Sequence, residues 1–348
     1  MNPQWQQFLA TQQAQIDEHG VRDFGNPQAE LEAAAGNVKC DLSHYGLIAV
    51  SGDDAVTFMQ GQFSNDVTQV DASHSQLNSY NNPKGRCLAC FRLFKHPQRY
   101  LLRLPREILA PTLQRLRMFV LRSAVVLEDV SDELASMGLS GPAAEAFLAR
   151  AQLAPGEVDA CLQGDGFSVL RVAGAQHPRF ELHGQAEALQ QLWQQARDFT
   201  AAGRGTWRLL EIEAGLPEVF LASRESFVPQ MLNLDRLGGI SFTKGCYTGQ
   251  EIVARMHYLG KLKKRMYLAE VHSPHTPAVG DKLYAGQGDT EQSIGEVVNR
   301  QPLGQERHKL LAVIRIDAAE AGDIHLDSPS GPRLNLQTLP YTISEQDA

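Results

Sequence analysis

The feature that most restricts the fold of this chain is a change in its apolar periodicity near residue 258. Before that point, a segment with helical spacing of apolar residues, 187–199, follows strand-like runs such as 158–172. After it, short alternating segments are separated by Gly, Pro and Asp, which is typical of a small all-β barrel. The sequence therefore predicts an α+β architecture followed by a separate β-barrel over 258–348.

The composition indicates an ordinary globular protein. The 348 residues are 43% hydrophobic and 21% charged, which suits two or three packed units. No apolar run approaches the length of a membrane-spanning helix, and the first fifteen residues are polar where a signal peptide needs an apolar stretch. The five cysteines form an odd, scattered set without a disulfide framework. We therefore expect a cytoplasmic protein without a membrane partner.

The net charge of −8 argues against the whole molecule acting as a basic nucleic-acid binder, and no direct nucleic-acid site is evident. One short run, 261–265, is locally basic. Such a run is usually a solvated face. The alternative is that it steers an anionic ligand or partner toward the molecule.

The first 37 residues predict a weak amphipathic helix and a linker. Trp5, Phe8, Leu9 and Ile16 have loose helical spacing within a Gln-rich stretch, and a Gly/Asn/Pro-containing segment follows. We interpret this part as an appendage to the main fold, which would begin at residue 38.

The most informative segment is KGCYTGQE at 244–251, which places a cation, two glycines and a thiol at the entrance of a predicted helix. Glycines permit close backbone approach, and the start of a helix together with Lys244 would favour the thiolate form of Cys246. These residues predict a functional thiol. The alternative is a small buried thiol in a tight turn.

This octapeptide resembles the signature of the YgfZ family, whose members bind folate and support iron–sulfur enzymes, including enzymes that modify tRNA. Supporting matches occur in the family's order at 58–67, 83–86, 211–220 and 227–245. The family is related to the aminomethyltransferase of glycine cleavage. The resemblance implies a GcvT-like folate-binding fold, with two interleaved α+β subdomains over 38–257 and the barrel at 258–348.

The resemblance also implies a set of folate-contacting residues, with tetrahydrofolate or a one-carbon-substituted derivative as the ligand. Trp207 and Glu213 lie about two helical turns apart, so both can approach one cavity, where an indole stacks on a pterin and a carboxylate accepts its N–H groups. Tyr45 occupies the place of a second folate-contacting tryptophan, and Asn65 and Asp66 are candidate polar groups of the cavity. The alternatives are a core tryptophan, an ordinary helical carboxylate and a turn.

A departure from the aminomethyltransferases concerns catalysis. Where those enzymes carry an acidic pair, this chain has Leu88 and Ala89, so the usual acid–base group for methylene transfer is missing. We therefore predict a tetrahydrofolate-binding accessory protein that supports iron–sulfur enzymes and tRNA modification. The alternatives are a folate-dependent aminomethyl or one-carbon transferase, in which Cys246 or Asp66 replaces the acidic pair, and a protein-interaction scaffold without folate.

Cys87 and Cys90 form a C-x-x-C, which raises the question of a metal or redox site. Residues three apart on a strand point to opposite faces, and no second C-x-x-C pair is present. The sequence therefore predicts no metal site.

Overall fold

A computed structural model describes residues 1–286 and 292–343. Over these residues the α-helices are α1 (Pro3–Thr11), α2 (Pro27–Glu32), α3 (Ala55–Gln62), α4 (Arg106–Arg117), α5 (Ala144–Ala149), α6 (Ala186–Gln195), α7 (Arg204–Glu213), α8 (Gln250–Tyr258) and α9 (Ile316–Ala321). Short 3-10 helices occur at Ala33–Ala35, Val67–Gln69, Leu221–Ser223 and Pro229–Leu232.

The strands of the same residues are β1 (Gln15–Asp17), β2 (Gly20–Asp23), β3 (Val38–Asp41), β4 (Tyr45–Ser51), β5 (Gln76–Asn81), β6 (Cys87–His96), β7 (Arg99–Pro105), β8 (Val126–Asp129), β9 (Ala135–Ser140), β10 (Cys161–Gly164), β11 (Phe167–Val172), β12 (Arg179–Gly184), β13 (Thr200–Ala202), β14 (Lys264–His272), β15 (Lys282–Ala285), β16 (Gly295–Gly304), β17 (Arg307–Arg315), β18 (Ile324–Leu326) and β19 (Leu334–Gln337). Helices and strands are mixed along the chain up to α8, and strands dominate after it. This confirms the α+β class and the change of periodicity near residue 258.

The chain forms two compact units, each built from several segments. The first unit contains residues 1–60, 66–76 and 91–210, and the second contains 61–65, 77–90 and 211–348. The segments of the two units alternate along the chain. The three-part division at residues 37 and 257 stays a prediction.

The core of the first unit lies on a six-stranded sheet with the order β10-β11-β12-β9-β3-β13. Its pairs are antiparallel except β13 with β3, which are parallel. Helix α6 packs against β9 and β12 because Leu189, Leu192 and Trp193 recur at helical spacing and are buried. In the same unit, β4 pairs with β7 on one side and with β8 on the other. Leu47 of β4 lies opposite Arg103 of β7.

The interpretation of the N-terminal helix as an appendage is wrong. Trp5 and Leu9 of α1 are fully buried in the core of the first unit, and the indole N–H of Trp5 donates to the buried carboxylate of Asp41 at 2.8 Å. Asn2 caps the helix by accepting from the backbone N–H of Trp5. The weak apolar periodicity did not reveal this position because Asp41, the partner of the indole, is 36 residues away in the chain.

The second unit carries a six-stranded sheet with the order β18-β15-β16-β17-β14-β19. Its two edge strands approach each other at the bridge between His325 and Arg333 and at the hydrogen bond from Leu326 N to Pro332 O, so the sheet curls into a barrel. Alternate residues of β14 and β17, including Ala269, Val271, Leu310 and Ala312, fill its interior. The predicted C-terminal barrel is confirmed.

Among the residues that the structure describes, no helix is both long and apolar enough to cross a membrane.

Candidate functional site

Two sequence motifs of the second unit pack against each other through glycines. Gly249, just before α8, has φ +83°, and a Cβ atom there would lie 2.5 Å from the carbonyl oxygen of Asn82 and 3.0 Å from the Cα of Gly85. Gly85 has φ +69°, and its Cβ would lie 2.9 Å from the Cβ of Ile252. Both positions require glycine because the backbone is left-handed and the space is filled. The loop that carries Cys246 is thereby fixed at its C-terminal end.

Lys244 fixes the other end of this loop. Its ammonium donates hydrogen bonds of 2.8 Å to the backbone carbonyl oxygens of Phe63 and Asn65, and the residue is only 9% exposed. Charge-assisted hydrogen bonds of this kind are stronger than neutral ones. Lys244 therefore acts as an anchor, and its proposed influence on the Cys246 thiolate stays a prediction.

Cys246 differs from the other cysteines in its access to solvent. All five cysteines fall within the described residues, and Cys246 is exposed whereas the other four are buried. Burial raises the pKa of Cys161 to about 12 and that of Cys40 further still, so these thiols stay protonated. Cys246 is therefore the thiol that a reaction partner from solution can reach.

The opposite-face geometry of Cys87 and Cys90 stays a prediction. The neighbouring Cys87 and burial raise the pKa of the Cys90 thiol well above its usual value. The backbone of Cys87 bonds to Phe227 and Glu225, outside the sheets. Among the described residues, no group of three or more His, Cys, Asp or Glu side chains is arranged to hold a metal ion.

Asn65 and Asp66 lie next to each other in the chain but make different contacts. The Asn65 amide donates to the carbonyl oxygens of Leu77 at 3.1 Å and Gly238 at 2.6 Å. The Asp66 carboxylate caps the 3-10 helix that follows it, accepting from the backbone N–H and the hydroxyl of Thr68. Both residues thus hold the local backbone in place, and their contact with a ligand stays a prediction.

Trp207 is buried in the first unit. It lies on α7 with no exposed surface, and the guanidinium of Arg179 stands 4.4 Å from the centre of its ring. A Cβ atom at Gly138 would lie 2.4 Å from the indole Cζ3, so glycine at that position of β9 makes room for the ring. The indole is therefore held rigidly between a strand and a cation.

Glu213 lies at the end of the same helix and belongs to the second unit. The helix that the spacing of Trp207 and Glu213 requires is present, and it spans Arg204–Glu213. The Glu213 carboxylate lies 3.8 Å from the ammonium of Lys309, with its side chain 27% exposed. A shared pterin cavity for the two residues stays a prediction.

Tyr45 lies in a buried charged cluster of the first unit that the sequence did not reveal. The guanidinium of Arg103 stands 4.1 Å from the centre of the Tyr45 ring and donates two hydrogen bonds to the buried carboxylate of Glu181. Burial alone would raise the pKa of Glu181, but the charge of Arg103 and the hydrogen bond from His183 hold it well below its usual range. A single arginine inside the apolar run YLLRLP was the available signal, because such a cation needs a buried partner.

His44 and Arg208 were also missed by sequence reasoning. Both ring nitrogens of His44 are buried and hydrogen-bond to no described residue, while its ring lies 4.2 Å from that of Tyr45. Burial and the charges of Arg208, Arg103 and Arg204 lower the pKa of His44 well below its ordinary value, so the imidazole is neutral. Arg208 itself forms no ion pair or hydrogen bond through its side chain with a described residue. An anionic or polar ligand would supply the hydrogen-bond partners that the imidazole of His44 and the guanidinium of Arg208 lack among the described residues.

Comparison with known proteins identifies the family. Residues 23–240 match the family model described as the GCVT N-terminal domain. The tRNA-modifying protein YgfZ of Yersinia enterocolitica is 31% identical over 307 residues, which cover 87% of this chain and 92% of that protein. The tRNA-modifying protein YgfZ of Colwellia psychrerythraea is 28% identical over 304 residues, covering 87% and 93%.

The fold has a counterpart among solved structures. The glycine cleavage system aminomethyltransferase T from Bartonella henselae superimposes with a TM-score of 0.71 over 98% of this chain and 97% of that chain, at 17% identity. This likeness confirms the predicted GcvT-like fold. The chain belongs to the YgfZ family, within the larger group of proteins that carry the GCVT N-terminal domain.

Proposed function

We propose that the protein binds tetrahydrofolate, or a one-carbon-substituted form, and acts as an accessory protein that maintains iron–sulfur enzymes and thereby supports tRNA modification. The observation that carries the proposal is the exposed Cys246 thiol on a loop anchored by Lys244 and by the contact of Gly249 with Gly85. A thiol that is accessible and rigidly placed suits transient contact with a partner. A reducing compartment such as the cytoplasm would keep it free.

Several residues of the first unit are candidates for the folate contacts. The roles of Tyr45 and Trp207 rest on the family, and this chain adds His44 and Arg208. A polar group of the ligand would satisfy the buried imidazole of His44, and the glutamate carboxylates of folate match the unpaired guanidinium of Arg208. Glu213 is the candidate acceptor for pterin N–H groups, with Asn65 and Asp66 as further candidate contacts.

The transferase alternative is less well supported. Leu88 and Ala89, which stand in place of the acidic pair, are fully buried and apolar, so they supply no proton acceptor. Asp66 would have to replace that pair while its carboxylate already accepts hydrogen bonds from Gln60 and Thr68. Turnover of tetrahydrofolate with an aminomethyl donor or formaldehyde would establish the transferase and reject the accessory role.

Folate binding is tested by titrating the protein with tetrahydrofolate while tryptophan fluorescence is recorded, with calorimetry as a check. We expect saturable quenching that is lost in Trp207→Phe and retained in Trp193→Phe. Trp193 is a matched control because it is also fully buried in the first unit and has a cation, the Lys39 ammonium, 5.2 Å from its ring. Absence of binding to the unchanged protein by calorimetry would refute the folate role and favour a scaffold.

The thiol role is tested in cells that lack the wild-type copy. We expect Cys246→Ala to lower the activity of iron–sulfur-dependent tRNA-modifying enzymes, whereas Cys161→Ala, which alters a buried thiol, leaves that activity close to normal. Equal abundance of both variants is the control for folding. Full activity with Cys246→Ala would show that the thiol is dispensable.

A further inference from the structure

An exposed face of the second unit combines aromatic rings with cations. Phe242 stacks on His257 of α8 with ring centres 3.7 Å apart and planes 12° from parallel, and Tyr258 meets His257 edge-on at 4.7 Å. Tyr258 is 63% exposed and Leu259, which ends α8, is 85% exposed. The Phe242–His257 stack joins a residue just before the KGCYTGQE segment to the last turn of α8.

Three exposed cations accompany the aromatic rings. Arg255 lies on the last turn of α8, and Lys261 and Lys263 follow the helix within five residues of its end. Among residues 1–286 and 292–343, none of the three side chains has an ion-pair or hydrogen-bond partner. Their charges are therefore available to an anion from outside the chain.

The charge of this segment is opposite to that of the whole protein. Residues 242–265 contain six Lys and Arg and a single acidic residue, Glu251. Arg265 is paired with Asp235 and Lys244 is buried against backbone carbonyl oxygens, so four cations and one carboxylate, a formal charge of +3, remain in this segment of a chain of −8. A local field of this sign attracts a polyanion to this face while the rest of the surface repels it. Attraction confined to one face selects where such a partner docks.

We infer that this face, defined by Phe242, His257, Tyr258, Arg255, Lys261 and Lys263, binds a single-stranded segment of RNA. An acidic polypeptide would satisfy the cations, but it has no use for exposed aromatic planes. Unpaired nucleobases stack on such rings while the phosphates bind neighbouring Lys and Arg. This site does not depend on folate.

The test uses fluorescence anisotropy of labelled single-stranded polyuridine and of an unmodified tRNA transcript, with an RNA duplex for comparison. In the variant Arg255→Gln/Lys261→Gln/Lys263→Gln we expect affinity for the single strand to fall about tenfold or more, and the slope of log K against log salt to decrease by about 2. The matched control replaces three exposed cations of the first unit: Arg122→Gln/Arg150→Gln/Arg197→Gln. This control variant loses the same three positive charges as the test variant, and it should bind the single strand as tightly as the unchanged protein does.

Stacking is tested separately with Tyr258→Ala, which should weaken binding at least about fivefold without changing the salt slope, and Tyr258→Phe, which should restore it. Tyr258 is exposed, so neither change disturbs the core. Three results would overturn the proposal: no binding of the single strand by the unchanged protein, equal losses in the two triple variants, or poly-L-glutamate binding as tightly as RNA. Folate titration of the same variants should be unaltered.

Discussion

Replacing Gly249 by Ala tests whether the contact between Gly249 and Gly85 holds the loop of Cys246 in place. A left-handed backbone costs an alanine about 1–2 kcal/mol. The added Cβ would also lie 2.5 Å from the Asn82 carbonyl oxygen, a backbone atom that cannot rotate away, and such overpacking costs about 1–3 kcal/mol more. The free energy of locally unfolding this region should therefore fall by about 2–5 kcal/mol.

Hydrogen exchange measured by mass spectrometry is the suitable assay. The three tryptophans all belong to the first unit, so their fluorescence does not report on this loop. We expect amide exchange in peptides covering 244–258 to accelerate by at least about thirtyfold, since about 1.4 kcal/mol corresponds to a factor of ten. Alkylation of Cys246 should change in the same variant, because the loop no longer holds it in place.

The matched control is Gly322→Ala. Gly322 has φ +72° but open space around its Cα, so its substitution carries only the cost of the left-handed backbone. Exchange around residue 322 should therefore accelerate less than exchange around residue 249. Equal acceleration at the two sites would refute the argument that the packing of Gly249 on Asn82 and Gly85 positions the loop.

Three further predictions concern other parts of the molecule. Gly138→Ala should destabilise the first unit by about 1–3 kcal/mol, because the added Cβ would meet Trp207. Urea unfolding followed by tryptophan fluorescence measures this loss. The control Gly156→Ala, which lies in open space, should have little effect. Burial lowers the pKa of His96 to about 4. Below about pH 6.5 the native state therefore binds fewer protons than the unfolded state, and the free energy of unfolding falls toward pH 4. His96→Gln should reduce that fall by about 2–3 kcal/mol. Lys244→Met should accelerate amide exchange at 244–249 at least about tenfold, because two carbonyl oxygens lose a charge-assisted donor.

Local patterns were sufficient to predict much of the fold. The alternating segments after residue 258 became the barrel strands, and the helical spacing of Leu189, Leu192 and Trp193 became α6. Gly249 of the octapeptide correctly indicated close backbone approach, whereas the expectation for Gly245 is wrong, because a Cβ atom there would meet open space. These features depend on residues a few positions apart, which is the range over which periodicity and turn chemistry act.

The candidate site was predicted less completely. Tyr45 and Trp207 could be named from the family, but their cationic neighbours Arg103 and Arg179 could not, because each pair joins separate strands or helices. The unsatisfied imidazole of His44 is visible only once the surrounding chain is placed.

The sequence by itself determined the fold class and the family and singled out Cys246 as the candidate functional thiol, since each is encoded in contiguous segments. Only the tertiary structure decided that α1 belongs to the core, that Lys244 anchors the loop through Phe63 and Asn65, and that Gly249 rests on Gly85. The physical reason is the same in each case. These contacts join residues from 36 to 181 positions apart, and a hydrogen bond or a close approach over such separations leaves no trace in local periodicity.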